Sequence, residues 1–476
     1  MSRPVIDREQ MEATASKAIE VDTTPGVDSE AEPGAPMSLR KLAVSGSAWT
    51  LLGHGGGEVV RLGSHLVLAQ FLGPQAWGIM VMVNVVLRGL RMFSDVGIGP
   101  SLVQDPRGEE PDFYNTAWTI QIIRGGVLFV VACLLAWPVA IYSDSMALKW
   151  YVPVAALTVL IDGFASTGPA LLHRRLELRK LTLFDFWCMV AASAVTIVLA
   201  ILLRNVWALV LGGVAGATIR LIGTHTVVAV GRNHLRWDRD SARNLIRFGR
   251  WIFIATALTF LCSQGDKLVL APVFDDHQLG LYGIAFLLAM AMPTAMGALS
   301  ARVLFPLYAR LSEQPLAQLR SKMTRVRILL HLVSILPQCL LAIFAQPFVE
   351  LLYPVEYHDA GWILQILALG GIYWSIELTI APALLARGDS FRHMLVLVSR
   401  AAGLLVCMGL GAWMGHRLGG PDGAVIGIVI GVAVSQVLYY PVLAWAVHRH
   451  GLWMPKIDLL AGLPGVLVAM GLILFT

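Results

Sequence analysis

Apolar residues in this chain come in runs of about twenty, broken by short polar connections that hold most of the arginines. A helix needs about 20 mostly apolar residues to cross the hydrocarbon of a bilayer. On that rule the pattern predicts thirteen helical segments, over 44–70, 78–99, 116–141, 149–171, 182–203, 206–230, 247–273, 279–306, 326–352, 360–385, 391–414, 422–447 and 457–476. Three stretches within them, 127–138, 187–203 and 425–434, hold no ionised side chain at all.

Composition sharpens this into a class. Hydrophobic residues make up 57% of the chain and charged residues 14%, with a mean hydropathy of +0.69. A soluble domain is about 45 to 50% apolar and about 25% charged, so the chain reads as an all-α, polytopic membrane protein. The first 36 residues break the pattern. They set Asp7, Glu9, Glu12, Glu20, Asp22, Asp28, Glu30 and Glu32 against Arg3, Arg8 and Lys17 and have no apolar core. A disordered acidic cytoplasmic tail over 1–36 is expected, with no cleavable signal.

One block occurs twice. Trp49 precedes Leu66-Val-Leu-Ala69 and Trp251 precedes Leu268-Val-Leu-Ala271 at the same spacing, an offset of 202 residues. After a turn read as three residues longer in the second copy, Trp77-Gly78-Ile79 is matched by Tyr282-Gly283-Ile284. Six segments separate the copies, so both enter from the same side and the halves are parallel repeats about an axis along the membrane normal. The expected division is a six-helix bundle over 37–231, a basic linker over 232–246, a second six-helix bundle over 247–447 and an extra helix over 448–476. Alternate connections concentrate the arginines and lysines, as in Arg174, Arg175, Arg179 and Lys180 or Arg310, Arg320, Lys322 and Arg325. The positive-inside bias makes these cytoplasmic and puts the N-terminus inside. The net charge of +5 is thus an orientation signal and not a nucleic-acid footprint.

Charges inside the segments carry the candidate chemistry. The first segment holds Glu58, Arg61 and His65, and the second Arg88, Arg91 and Asp95, each trio spaced to share a helix face. Asp266 and Lys267 lie in the seventh segment, Arg302 in the eighth, and Arg124, Asp162, Arg220, Glu377 and Arg400 elsewhere. At about 2.5 to 3.5 kcal/mol for each charge facing lipid, most are expected to line a wet interior. Arg124, Asp162 and Arg400 read first as structural pairs or snorkelling side chains, and His65 as a hydrogen-bonded core histidine. The first two segments of each repeat are where a shared central site is expected. Gly56, within Gly55-Gly-Gly57, and Pro293 are candidate hinges.

Enzyme signatures are lacking. There is no Gly-rich loop ending in Lys-Ser/Thr, no zinc spacing, no Gly-x-Ser-x-Gly and no catalytic domain in the short outward connections. Cys133, Cys188, Cys262, Cys339 and Cys407 all lie in apolar segments and read as small buried hydrophobes. Transport, with no catalytic residues, no metal and no cofactor beyond a coupling H+ or Na+, is the reading that remains.

Ser45-Gly-Ser-Ala-Trp49, Leu68-Ala-Gln-Phe-Leu-Gly-Pro74, Phe93-Ser-Asp-Val-Gly-Ile-Gly99 with Leu102-Val-Gln104, and Ser263-Gln-Gly-Asp-Lys-Leu-Val-Leu270 with Gly280-Leu-Tyr-Gly-Ile-Ala285 together resemble the Wzx-type polysaccharide-repeat-unit flippases of the multidrug/oligosaccharidyl-lipid/polysaccharide exporter superfamily. The resemblance implies a V-shaped pair of six-helix bundles working by alternating access, with twelve to fourteen helices in all. It also implies a cationic cavity that carries undecaprenyl-pyrophosphate-linked oligosaccharide across the bacterial inner membrane, for exopolysaccharide, capsule or O-antigen. Under it, Arg61, Arg88, Arg91, Lys267 and Arg302 are assigned to the pyrophosphate and sugar. Glu58, Asp95 and Asp266 are assigned to charge balance or ion coupling. Implied partners are membrane lipids, a polysaccharide polymerase and a chain-length regulator. An ion-coupled multidrug exporter of the same superfamily and a membrane-embedded polymerase or ligase are the alternative readings.

Overall fold

The computed structural model describes residues 39–94, 98–231, 233–239, 252–311 and 315–475. The acidic tail over 1–36, Asp95 and most of the 232–246 linker lie outside this set. Val44–Thr476 forms one compact unit. It is all helix among the described residues, and a helix stands at every place the hydropathy pattern assigns one. The first repeat unit comprises α1 (Leu39–Ala69), α2 (Pro74–Phe93), α3 (Ile98–Gln104), α4 (Pro111–Tyr142), α5 (Leu148–Gly163), α6 (Gly168–Arg174), α7 (Leu178–Leu203) and α8 (Val206–Thr226). The remainder comprises α9 (Ile252–Leu270), α10 (Asp276–Ala289), α11 (Ala291–Leu299), α12 (Phe305–Leu311), α13 (Leu316–Ile343), α14 (Ala345–Leu352), α15 (Ala360–Ala386), α16 (Ser390–Leu438), α17 (Tyr440–His448) and α18 (Pro455–Phe475).

Eight helices among the described residues are long and apolar enough to span a bilayer, or ten if each of two sharply bent pairs is one span. One of the eight, Ser390–His448, folds back on itself. Gly419 and Gly420 leave helical geometry ahead of Pro421, and Gly411 then lies against Gly427 and Gly415 against Gly423. These are the two arms expected at 391–414 and 422–447. Local chemistry moves some ends. The second helix starts at Pro74 and not at 78, because Pro74 takes the first helical turn, where its missing N–H costs nothing, after an extended Gly73. The expected single segment over 326–352 begins at Leu316 and breaks at Phe344 into α13 and α14.

The repeat becomes physical where α2 meets α10. A Cβ on Gly78 would stand 1.8 Å from the Asp276 carbonyl oxygen, and a Cβ on Gly280 would stand 1.8 Å from the Pro74 carbonyl oxygen. Gly78 and Gly280 are 202 residues apart, and so are Pro74 and Asp276. The two contacts therefore exchange under a two-fold, as in an isologous interface. This corrects the alignment of Gly78 with Gly283: the offset runs unbroken through the turn, and Gly283 instead faces Val81, its own counterpart at 202. Around this crossing Leu72, Trp77, Leu148, Phe274, Tyr353 and Tyr357 form part of one buried apolar cluster that closes this end of the molecule. Tyr142 Oη donates to the Leu268 carbonyl at 2.8 Å, Ser145 Oγ to Asp276 Oδ2 at 2.9 Å, and Tyr357 Oη to the Leu72 carbonyl, all across the repeats.

The helices differ at the two candidate hinges. Helix α1 runs without a break through Gly55-Gly-Gly57. On this helix Gly56 faces Phe186 and Gly57 faces Met189 of α7. Pro293 does accompany a bend, 43° between α10 and α11. Its ring leaves the Ala289 carbonyl without a helical donor, and Gln338 Nε2 of α13 fills that place at 3.0 Å. Pro382 of α15 does the same to the Leu378 carbonyl, which accepts from Ser300 Oγ in the π-turn Ser300–Leu304. The bend is thus wired to two neighbouring helices by side chains.

Gly78→Ala and Gly280→Ala each force a methyl into a backbone carbonyl. Each is expected to lower the thermal unfolding midpoint of the detergent-purified protein by an amount equivalent to about 1 to 3 kcal/mol. Gly55→Ala, with nothing within 4 Å of the added carbon, should leave the midpoint unchanged or raise it.

Candidate substrate cavity

Helix α2 presents two faces. Met82, Val83, Val85 and Leu87 are buried, whereas Asn84, Arg88 and Arg91, spaced four and three apart, are exposed to a cavity. Arg61 and His65 of α1 and Gln264 and Lys267 of α9 reach the same space, and so do Phe286 of α10 and Met290, which follows it. Thr158 and Asp162 of α5 with Arg220 of α8 complete the end farthest from the seal. The enclosed volume is about 1080 Å³. Its lining carries Arg61, Arg88, Arg91, Arg220 and Lys267 against the single carboxylate of Asp162.

Four of the five cations are held by internal partners. Arg61 pairs with Glu58, one turn away on α1. Arg91 reaches Asp162 Oδ2 at 3.1 Å and donates to Thr158 Oγ1 at 3.2 Å. Arg220 meets Asp185 of α7 at 3.2 Å. Lys267 Nζ sits 2.8 Å from Asp266 Oδ2, which also accepts from Tyr282 Oη at 2.6 Å, and it lies 3.5 Å from the Phe286 ring centroid. Neighbouring helix residues do not normally face each other, so the Lys267 side chain must fold back to reach Asp266. Arg88 makes no ion pair among the described residues. Its guanidinium has five donors and an open cavity in front of it.

The structure therefore brings Arg61, Arg88, Arg91 and Lys267 to one space and keeps Glu58 and Asp266 behind two of them. Asp95, expected beside Arg91, lies outside the described residues; Arg91 pairs with Asp162. The backbone of Arg302 lies in the π-turn, and its side chain is outside the described residues. Arg124 bonds to Ser94 Oγ at 2.9 Å and to the Arg91 carbonyl at 3.1 Å, bracing the end of α2. Glu377 and Arg400 pair at 3.1 Å with Tyr439 donating to Glu377, beneath Trp374 and off the cavity lining. Sequence reasoning did not place Arg220, Asp162, Asn84 or Gln264 in the site. For Asn84 a signal existed, since it continues the Arg88–Arg91 face by one turn. It also missed the fully buried ion pair of Arg327 in α13 with Asp458 in α18, joined by Tyr440 Oη on Asp458 at 2.7 Å. Among the described residues no three His, Cys, Asp or Glu side chains converge as a metal site.

A sequence family described as "Polysaccharide biosynthesis protein" matches residues 67–361. The lipopolysaccharide biosynthesis protein WzxC of Escherichia coli K12 is 22% identical over 434 residues, covering 88% of this chain and 86% of that protein. The succinoglycan biosynthesis transport protein ExoT of Rhizobium meliloti is 21% identical over 340 residues, covering 70% of this chain and 67% of that protein. Among solved structures, the inward closed conformation of the lipid II flippase MurJ superposes with a TM-score of 0.69 at 10% identity, over 89% of this chain and 91% of that one. An inward-facing multidrug resistance transporter of the MATE family gives 0.63 at 15% identity, over 83% and 98%. These likenesses between structures establish a shared fold.

Removing one partner of a buried pair leaves an uncompensated charge. Asp266→Asn is expected to destabilise the protein by about 3 to 5 kcal/mol, read as a lowered unfolding midpoint in detergent. Adding Lys267→Met to it should restore most of the loss, and a double variant as unstable as the single would reject the pairing.

Proposed function

The chain belongs to the polysaccharide biosynthesis protein family, and we propose that within it this protein is a flippase for polyprenyl-pyrophosphate-linked oligosaccharide. The observation that carries this reading is the cavity, closed at one end, with five basic side chains on its lining and the Arg88 guanidinium unpaired. A lipid-linked pyrophosphate carries about two negative charges, and forked guanidinium donors match phosphate oxygens in geometry as well as sign. In this reading Arg88 takes the pyrophosphate first, and Arg61, Arg91 and Lys267 close on it as Glu58, Asp162 and Asp266 release them.

The undecaprenyl tail stays in the lipid while the oligosaccharide occupies the cavity. The positive-inside bias of the connections supports a cytoplasmic N-terminus; in this reading the end closed by α2 and α10 faces outward and the cavity opens inward. Two bundles, 37–231 and 247–447, rock about the Gly78–Gly280 contact to exchange access. Asp266 is the site proposed for a coupling H+ or Na+. Moving one charge through 100 mV supplies about 2.3 kcal/mol, which is enough to bias the return step. A polysaccharide polymerase and its chain-length regulator would take the product on the outer side. A basic cavity disfavours the cationic substrates of a drug exporter, and the short outward connections leave no place for a polymerase's catalytic loop.

Hydrogen bonds to charged groups are worth about 1.5 to 3 kcal/mol each. Arg88→Ala should thus weaken binding of lipid-linked oligosaccharide by about tenfold to a hundredfold, with flipping in proteoliposomes falling in parallel. Arg88→Lys, which keeps the charge and loses the fork, should lie between. Wild-type flipping in Arg88→Ala, Arg91→Ala and Lys267→Ala alike would reject the reading.

A further inference from the structure

The cavity is not uniformly charged along its depth. Helix α2 runs from the seal at Pro74 toward Phe93 and rises about 1.5 Å per residue, so Asn84 stands about 6 Å deeper than Arg88 and Trp77 about 16 Å deeper. Asp162 and Arg220, the partners that hold or flank Arg91, lie at the far ends of α5 and α8 from the seal. Arg88, Arg91 and Arg220 therefore gather toward the open end, while Arg61 lies one turn from His65 and Lys267 one turn nearer the seal than Gln264, with its Nζ 3.5 Å from the Phe286 ring. Below the three arginines, amides and rings join the lining. Asn84 is exposed to the cavity, and Gln264 reaches it from α9 although only 6% of its surface is accessible. Neither amide makes a hydrogen bond among the described residues. The floor is Trp77 stacked on His65, with ring centroids 4.7 Å apart.

An amide offers two donors and two acceptor lone pairs at once. A phosphate uses only the donors. A sugar hydroxyl is itself donor and acceptor, and it uses both. A polar pair left unbonded in a helical membrane protein is costly unless a polar ligand or water completes it, and ring faces beside such a pair suit the C–H faces of a pyranose.

We propose that Asn84 and Gln264 form a sugar subsite between the Arg88–Arg91 level and the His65–Trp77 floor, which binds the sugar next to the pyrophosphate and gives the cavity its preference for glycosylated over bare carrier. The assignment rests on the flippase reading and adds to it a direction: the oligosaccharide points at the seal and the pyrophosphate stays near the opening. Asn84 then senses the first sugar directly, one helical turn from the guanidinium that holds its phosphate.

Two ligands separate the subsites: bare undecaprenyl pyrophosphate, and lipid-linked oligosaccharide extracted from the producing cells. Both are titrated onto the purified full chain in nanodiscs. Wild type should bind the glycosylated carrier about tenfold or more tightly than the bare one. Asn84→Ala and Gln264→Leu should each erase about tenfold of that preference and leave bare carrier binding unchanged, whereas Arg88→Ala should weaken both ligands. Wild-type binding of the glycosylated carrier in both amide variants overturns the sugar subsite, and so does an equal loss of both ligands. In either case the flippase reading stands as long as Arg88→Ala still fails. A wild-type protein that binds neither carrier overturns the flippase reading itself.

Discussion

An ionised side chain in hydrocarbon is expensive, and that cost organises this molecule. Arg61, Arg88, Arg91, Arg220 and Lys267 all lie on membrane helices, and each would cost about 3 kcal/mol facing acyl chains. All five turn to one interior space. To hold that space open the helices around it must be braced elsewhere, and they are: the seal at one end is apolar and continuous across both repeats. The far end of α2 is braced by Arg124 on Ser94 and on the Arg91 carbonyl. The polar interior and the dry seal are two consequences of one constraint.

The duplicated architecture gives the two halves a common frame while their chemistry has diverged. At the offset of 202 that the Gly78–Gly280 contact defines, Arg88 corresponds to Met290, Asn84 to Phe286, Arg61 to Ser263 and Arg91 to Pro293. One copy of the opening helix pair keeps the guanidinium groups. The other keeps the bend, with its freed carbonyl caught by Gln338. Among the cavity-lining positions of this helix pair, only the His65–Lys267 position is basic or titratable in both. A two-fold frame is thus retained where backbones touch, since a glycine against a carbonyl tolerates no side chain, and it is lost where side chains face the cavity.

Much of this was legible from residue spacing. Helix positions follow from apolar runs because the bilayer sets one length, and the shared face of Arg88 and Arg91 follows from helical periodicity. Partners were not legible. Arg91 meets Asp162, 71 positions away, and Arg327 meets Asp458 across 131 positions; nothing in local pattern encodes such pairings. The run Gly55-Gly-Gly57 permits either unwinding or close approach, and spacing alone does not choose; here Gly56 and Gly57 face Phe186 and Met189 of α7. The aromatic-glycine-isoleucine match at Tyr282-Gly283 misled because identity of letters outweighed spacing. The backbone contact at Gly280 restores the spacing.

The pairing of the cations bears on how a carrier could both bind and let go. If all five were free, an anion would be held too firmly to leave, and the empty cavity would repel itself. With Arg61, Arg91, Arg220 and Lys267 each answered by a carboxylate, an incoming phosphate must compete for every one of them except Arg88. Binding energy is then a difference between external and internal partners, which is small enough to reverse. Under the proposed function the carboxylates would act as resident competitors that reclaim their cations when the cavity turns toward the other face. On that proposal the acidic groups behind the lining belong to the transport cycle as much as the arginines in front of it.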